Sequence, residues 1–147
     1  MKIKVVWIGK TKEPAIQSLT GEYLKRISRY ADVEGMAVVD ENALLKLRER
    51  SGTRPAHSLV LLDSGGTQLT SEDFAQFVQD HFAGKAQPLL FAIGGADGFN
   101  DAIRQAAAHV ISLGKMTMAH EIARVVFLEQ LYRAFTILNR HPYHSGH

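Results

Sequence analysis

The sequence predicts an α/β protein: a mostly parallel sheet with helices on both faces, built as a single domain over residues 1–147. Three observations predict it. Short apolar runs alternate along the chain with helix-like amphipathic stretches, the pattern of a parallel sheet covered on both sides. Most of the runs are rich in Val, Ile or Leu and are bounded by Gly, Asp, Pro or Ser. The chain is long enough for one core, and its 46% of apolar residues argue against disorder.

The elements follow in order. IKVVWI (3–8) is the first strand. Residues 15–30 place Ile16, Leu19, Tyr23, Ile27 and Tyr30 at helical spacing. VEGMAVV (33–39) is the second strand, and 42–50 a shorter helix. SGTRPAH (51–57) reads as the most flexible connection. SLVLLD (58–63) is the third strand. In the helix 71–82, Thr70 with Asp73 resembles a capping box, and Phe74, Phe77, Val78 and Phe82 form the buried stripe. PLLFAI (88–93) is the fourth strand, Asn100 can cap a helix over 101–108, and HVIS (109–112) is the fifth strand. A long helix fits 119–140. Neither a repeat nor a low-complexity segment interrupts this order.

Composition narrows the function classes. With no cysteine, disulfides and Cys-based zinc sites are excluded. No apolar run approaches the length of a membrane span, and MKIKVVWIGK is too short in its apolar part for a signal peptide. A cytoplasmic location is the expectation. The net charge of +2 conceals an asymmetry. Residues 1–30 hold Lys2, Lys4, Lys10, Lys12, Lys25, Arg26 and Arg29 against Glu13 and Glu22, a net of +5, which leaves −3 for residues 31–147. A basic end suits a polyanion, although a solvated helix face explains the charge as well.

In parallel sheets ligands bind at the carboxyl ends of strands. Three segments qualify: Leu62-Asp63-Ser64-Gly65-Gly66, Gly94-Gly95-Ala96-Asp97-Gly98, and Leu113-Gly114-Lys115-Met116-Thr117-Met118. GGADG is neither the dinucleotide fingerprint nor a P-loop, and taken alone it fits a tight strand-to-helix turn. His120-Glu121 begins like the zinc-protease motif, but Arg124 stands where the second histidine belongs. The long helix is apolar nearly all round, so it reads as packed on its own sheet and on another subunit, with a central core helix as the alternative. Glu129 and Arg133 are spaced for an ion pair, while Arg124, Arg133 and Arg140 are candidates to face phosphates. The chain ends HPYHSGH, which by composition is a loose tail or a weak metal site of His141, His144 and His147 without an acidic or Cys partner nearby. Pro142 stops the helix, so Tyr143 and His144 leave it as an extended segment.

Over essentially the whole chain the sequence resembles the ribosomal RNA large subunit methyltransferase H family, of the SPOUT class. LLFAIGGADGF (89–99), ISLGKMTMAHEIARVVFLEQLYRAFTI (111–137) and HPYH (141–144) carry the resemblance most densely, with IKVVWIGKTKEP and EYLKRI in support. The resemblance implies a C-terminal trefoil knot within about residues 62–147 that holds S-adenosylmethionine. Its cofactor contacts fall on Leu62, on Gly94 with the neighbouring Gly95 and Gly98, and on Leu113, Gly114, Lys115, Met116, Thr117 and Met118. It also implies a homodimer through the C-terminal helix, no metal, and methylation of N3 of a pseudouridine in large-subunit rRNA of the assembled ribosome.

That reaction needs a base, because N3–H must lose its proton before the nitrogen is a nucleophile. His144 is the candidate, with Tyr143 as positioning group or alternative. Arg133 or Arg124 is the candidate for stabilising charge on the base carbonyls, and Glu129 for orienting Arg133. The sequence departs from the family in two places: Ser145-Gly146-His147 where many members carry a basic residue, and Gly114 where serine is commoner. A SPOUT enzyme acting on tRNA and a non-catalytic ribosome-associated RNA-binding protein are the rival readings.

Overall fold

The computed structural model describes residues 1–84, 87–95 and 97–145. The strands are β1 (Lys2–Ile8), β2 (Asp32–Val38), β3 (Ser58–Gln68), β4 (Leu89–Ile93) and β5 (His109–Ser112). The helices are α1 (Pro14–Ile27), α2 (Glu41–Arg48), α3 (Ser71–Gly84), α4 (Asp101–Ala106) and α5 (His120–Leu138). All strand pairs are parallel, in the order β2-β1-β4-β3-β5. Parallel strands cannot be joined by tight hairpins, so α1 to α4 each serve as a crossover between consecutive strands, and α5 follows the last strand. One core gathers Val5, Trp7 and Phe91 of the sheet with residues of α1, α3 and α5. The other gathers Val6, Leu61 and Leu90 with residues of α2 and α4. Adjacent residues of one strand thus serve opposite cores, as the pleat requires.

Four expectations change. The loop 51–57 is a closed turn: Ser51 and Arg54 exchange both backbone hydrogen bonds, at 3.0 and 2.9 Å, and Arg54 Nη2 donates to the Lys46 carbonyl at 2.8 Å. The third strand does not stop at Asp63. It continues to Gln68, with a register shift against β5 between Leu62 and Thr67. The long helix ends at Leu138, before Pro142 acts. The Arg140 amide donates to Ile137 O at 3.2 Å and the His141 amide to Thr136 O at 2.8 Å, with Arg140 at φ 55°. This is a Schellman closure, in which the left-handed residue ends the helix. Residues 142–145 then form a turn instead of an extended arm.

The all-round apolar character of α5 also has an account within the chain. α1 and α3 pack on its two flanks while Phe127, Leu128, Leu131 and Phe135 face the sheet core. Helix caps agree with the sequence: Asn100 Oδ1 accepts from the Ile103 amide at 3.0 Å and Thr70 Oγ1 from the Asp73 amide at 3.0 Å.

Candidate active site

The carboxyl ends of β4, β3 and β5 lie side by side because β3 sits between the other two. The segments that follow them surround one cavity of about 180 Å³. Leu62, Gly94, Gly95, Gly98, Leu113, Gly114, Met116, Thr117 and Met118 all line it. Lys115, also expected there, is exposed and outside the lining. A second cavity of about 370 Å³ adjoins the first and shares Leu62, Leu113 and Gly114 with it. Its far wall comes from α3 and α5, through Ser71, Phe74, Phe127 and Gln130.

Two glycines shape these walls for different reasons. Gly66 lies against β5 so closely that a Cβ would sit 2.6 Å from the Val110 carbonyl oxygen, so the bulged end of β3 admits no side chain there. Gly114 has open space around it but a φ of +137°, a backbone that L residues rarely adopt. Ser112 braces that conformation: its Oγ donates to Gly114 O at 2.9 Å and accepts from the Gly114 amide at 3.0 Å. The departure at Gly114 is therefore a backbone matter in this chain.

Asp63, part of the first strand-end segment but given no role of its own there, also lines the smaller cavity. Burial pushes its carboxyl up, but hydrogen bonds from Arg104 and the Gly65 amide outweigh that and hold it below the usual range. It is ionised at neutral pH. Its partner Arg104 stands 41 positions away, beyond any local signal.

On the other side, Glu129, Arg133 and Tyr143 come together. The Glu129 carboxylate pairs with Arg133, accepts from the Tyr143 hydroxyl at 3.1 Å, and accepts from Gln130 Nε2 at 3.0 Å. The Arg133 guanidinium lies 5.1 Å from the centre of the Tyr143 ring, which packs edge-on against Tyr132 at 4.7 Å. Burial, then a hydrogen bond with Tyr23 and the charge of Glu129, push the Tyr143 phenol well above its ordinary value. It stays a neutral donor. His144 goes elsewhere: its Nε2 is 2.8 Å from Glu72 Oε1. Its Nδ1 is shielded from solvent and has no hydrogen-bond partner among the described residues. Ser71 Oγ donates to Gln130 Oε1 at 2.8 Å, which links the start of α3 to the Glu129 cluster across the larger cavity. Glu72 and Gln130 were not singled out from sequence, since nothing local ties them to the tail.

Arg124 is corrected. It is fully buried, donating to Thr11 Oγ1 at 2.8 Å and to the carbonyls of Ile8 and Gly9 at 3.1 and 3.2 Å. In this conformation it offers no surface to a phosphate or a base; it ties α5 to the loop after β1. Arg140 is exposed at the helix end. His141 Nδ1 accepts from the Tyr143 amide at 3.1 Å, while His144 is engaged by Glu72, so the two histidines serve different partners. Gly146 and His147, and Ala96 of the GGADG turn, lie outside the described residues.

Residues 1–144 match the family model described as "Predicted SPOUT methyltransferase". The chain is 57% identical over 147 residues to a Koribacter versatilis protein described as ribosomal RNA large subunit methyltransferase H, with 100% of both chains covered. A Geotalea daltonii protein of the same description is 43% identical over 152 aligned residues, covering 98% of this chain and 99% of that one. Among solved structures, the SpoU methyltransferase AviRb from Streptomyces viridochromogenes, in complex with the cofactor AdoMet, is similar with a TM-score of 0.56 and 17% identity. That match covers 90% of this chain and 57% of the longer one, and at such identity it concerns the fold alone.

Proposed function

The chain belongs to the SPOUT methyltransferase family, and from that premise we propose that it methylates large-subunit ribosomal RNA from S-adenosylmethionine, at N3 of a pseudouridine in the assembled ribosome. The observation that carries the reading is the meeting of three strand-end segments, distant in sequence, around one cavity. The site suits the cofactor. Leu62 and Leu113 offer apolar wall, the glycine backbone allows close approach, and the two adjoining cavities are on the scale of small-molecule sites, about 300–1,000 Å³. The residues that would hold it are the expected ones that line the smaller cavity, from Leu62 and the glycines after β4 to the segment after β5, with Leu62, Leu113 and Gly114 reaching into the larger one. Bound there, S-adenosylmethionine supplies a methyl group already made electrophilic by its sulfonium.

What the chain's own residues add is the handling of a proton. Tyr143 holds its proton and gives a hydrogen bond to Glu129, which favours His144 over Tyr143 as the base. Glu72 accepts from His144 Nε2, so in the neutral imidazole Nδ1 is the nitrogen with the lone pair. The turn 142–145 must shift to present Nδ1, because its own chain covers it. Arg133, oriented by Glu129, is the remaining candidate to face charge on the acceptor carbonyls. Arg124 takes no part in this scheme.

The trefoil knot belongs to the same proposal and rests on the family match. So does the homodimer through α5, where Ile122 is 52% exposed. No helix among the described residues is long and apolar enough to cross a membrane, which suits work on ribosomes in the cytoplasm.

Calorimetry and methyl labelling test the reading. Binding of S-adenosylmethionine with transfer of labelled methyl to ribosomes is the expected result. Transfer to tRNA alone would give the family fold another RNA, and absence of cofactor binding would leave a non-catalytic RNA-binding protein. Mass spectrometry of 23S-type rRNA from a strain lacking the protein decides the target: an unchanged methylpseudouridine overturns it.

A further inference from the structure

Arg104 lies outside the cavity lining yet touches residues that form it. Its Nη2 donates to Asp63 Oδ1 at 2.8 Å and its Nη1 to Asp63 Oδ2 at 3.2 Å, a two-pronged pairing that fixes the carboxylate's plane as well as its position. Its Nε donates to the Phe99 carbonyl at 3.4 Å, a longer contact. Asp63 Oδ2 in turn accepts from the Gly65 amide at 2.9 Å. One side chain on α4 thus holds the bulged end of β3 and the residue that closes the turn after β4. Asp63, Phe99 and the neighbouring Gly98 all line the cavity.

The Asp63 side chain is 13% exposed and that of Arg104 39%, so the carboxylate is the better shielded partner. Removing Arg104 would strand a charge that faces the cavity, and stranded charges are costly when partly buried. Between Leu62 and Thr67 the ladder with β5 shifts register, so regular strand pairing does not set the position of Asp63 itself.

We propose that Arg104 and Asp63 are a positioning pair for the S-adenosylmethionine cavity: the guanidinium clamps the β3 bulge and the turn after β4 in the spacing the cofactor needs. This rests on the reading of that cavity as the cofactor site. Neither residue is asked to touch the reacting atoms.

The test uses the full chain with S-adenosylmethionine and ribosomes. Arg104→Met is expected to raise the cofactor Kd and cofactor KM by about ten-fold, the size of coupling seen between residues of one network, while the KM for ribosomes stays within about two-fold. Arg104→Lys keeps the charge but loses the fork and should recover part of the loss. Asp63→Asn should resemble Arg104→Met, and the double variant should be little worse than either single one. Circular dichroism and melting establish that each variant is folded; should Arg104→Met not fold, Arg104→Lys and Asp63→Asn carry the same comparison. Unchanged cofactor Kd in the folded variants, or equal losses in both KM values, overturns the positioning role. A wild-type chain that binds no S-adenosylmethionine overturns the cofactor assignment itself, and this inference with it.

Discussion

At the scale of single residues, the tail divides its work. Tyr143 is an anchor, clamped by Glu129, Tyr23 and Arg133, and His144 is the group with chemistry to offer. His144→Ala is expected to leave cofactor affinity within about two-fold and to lower turnover by about 10²-fold or more, the usual worth of a positioned base. Calorimetry and single-turnover methyl transfer measure the two separately, and near-normal turnover would remove His144 from the mechanism. Tyr143 makes a pH prediction. Its folded phenol holds the proton more tightly than the ordinary value of 10.0, so its contribution to stability is complete below that pH and is lost as pH rises through the folded value. Alkaline titration followed by tyrosinate absorbance should show one late-titrating tyrosine in the wild type that disappears in Tyr143→Phe. If all tyrosines titrate together, the anchor is not formed in solution. Arg124 shows what a residue type cannot reveal. An arginine on an apolar helix reads as a surface cation, whereas here three backbone and hydroxyl oxygens meet its guanidinium in the interior.

At the scale of elements, the sequence located every helix and strand, and the differences fall at ends. Apolar periodicity reports where a segment is buried, and burial fades gradually at a terminus. The end of α5 is the instructive case. Pro142 is the obvious stop, but the chain turns earlier, at Arg140 with φ 55°. Left-handed backbone costs a non-glycine residue about 1–2 kcal/mol, so Arg140→Gly is expected to stabilise the fold by roughly 1 kcal/mol, less whatever glycine loses in unfolded-state entropy. Denaturant midpoints check this; a lower midpoint would count against the Schellman closure. Arg140 holds its charge exposed at this strained position, and the same variant should weaken binding to ribosomes while cofactor affinity is kept. The extension of β3 beyond Asp63 was not legible, because a bulge with two glycines looks like a loop until β5 is seen to pair with its far end.

At the scale of the whole molecule, the apolar surplus of α5 divides between α1, α3 and the sheet, leaving Ile122 as its most exposed large apolar residue. Sedimentation at micromolar concentration is expected to give twice the 16.3 kDa of one chain, and Ile122→Asp to shift the equilibrium toward monomer without changing the circular dichroism spectrum. A wild-type chain that sediments as a monomer at all concentrations would sink the dimer. The sequence by itself determined the parallel α/β architecture, since burial periodicity and the order of elements are written locally along the chain. It also marked the three strand-end segments, since topology puts ligand sites at carboxyl ends of parallel strands. Only the tertiary structure decided which charged and polar groups meet. Asp63 with Arg104, Glu72 with His144, and Arg124 with the loop after β1 are pairs made across 41, 72 and 113 or more positions, and a salt bridge or buried hydrogen bond forms wherever the fold brings two groups within about 3 Å, a coincidence in space that no local pattern encodes.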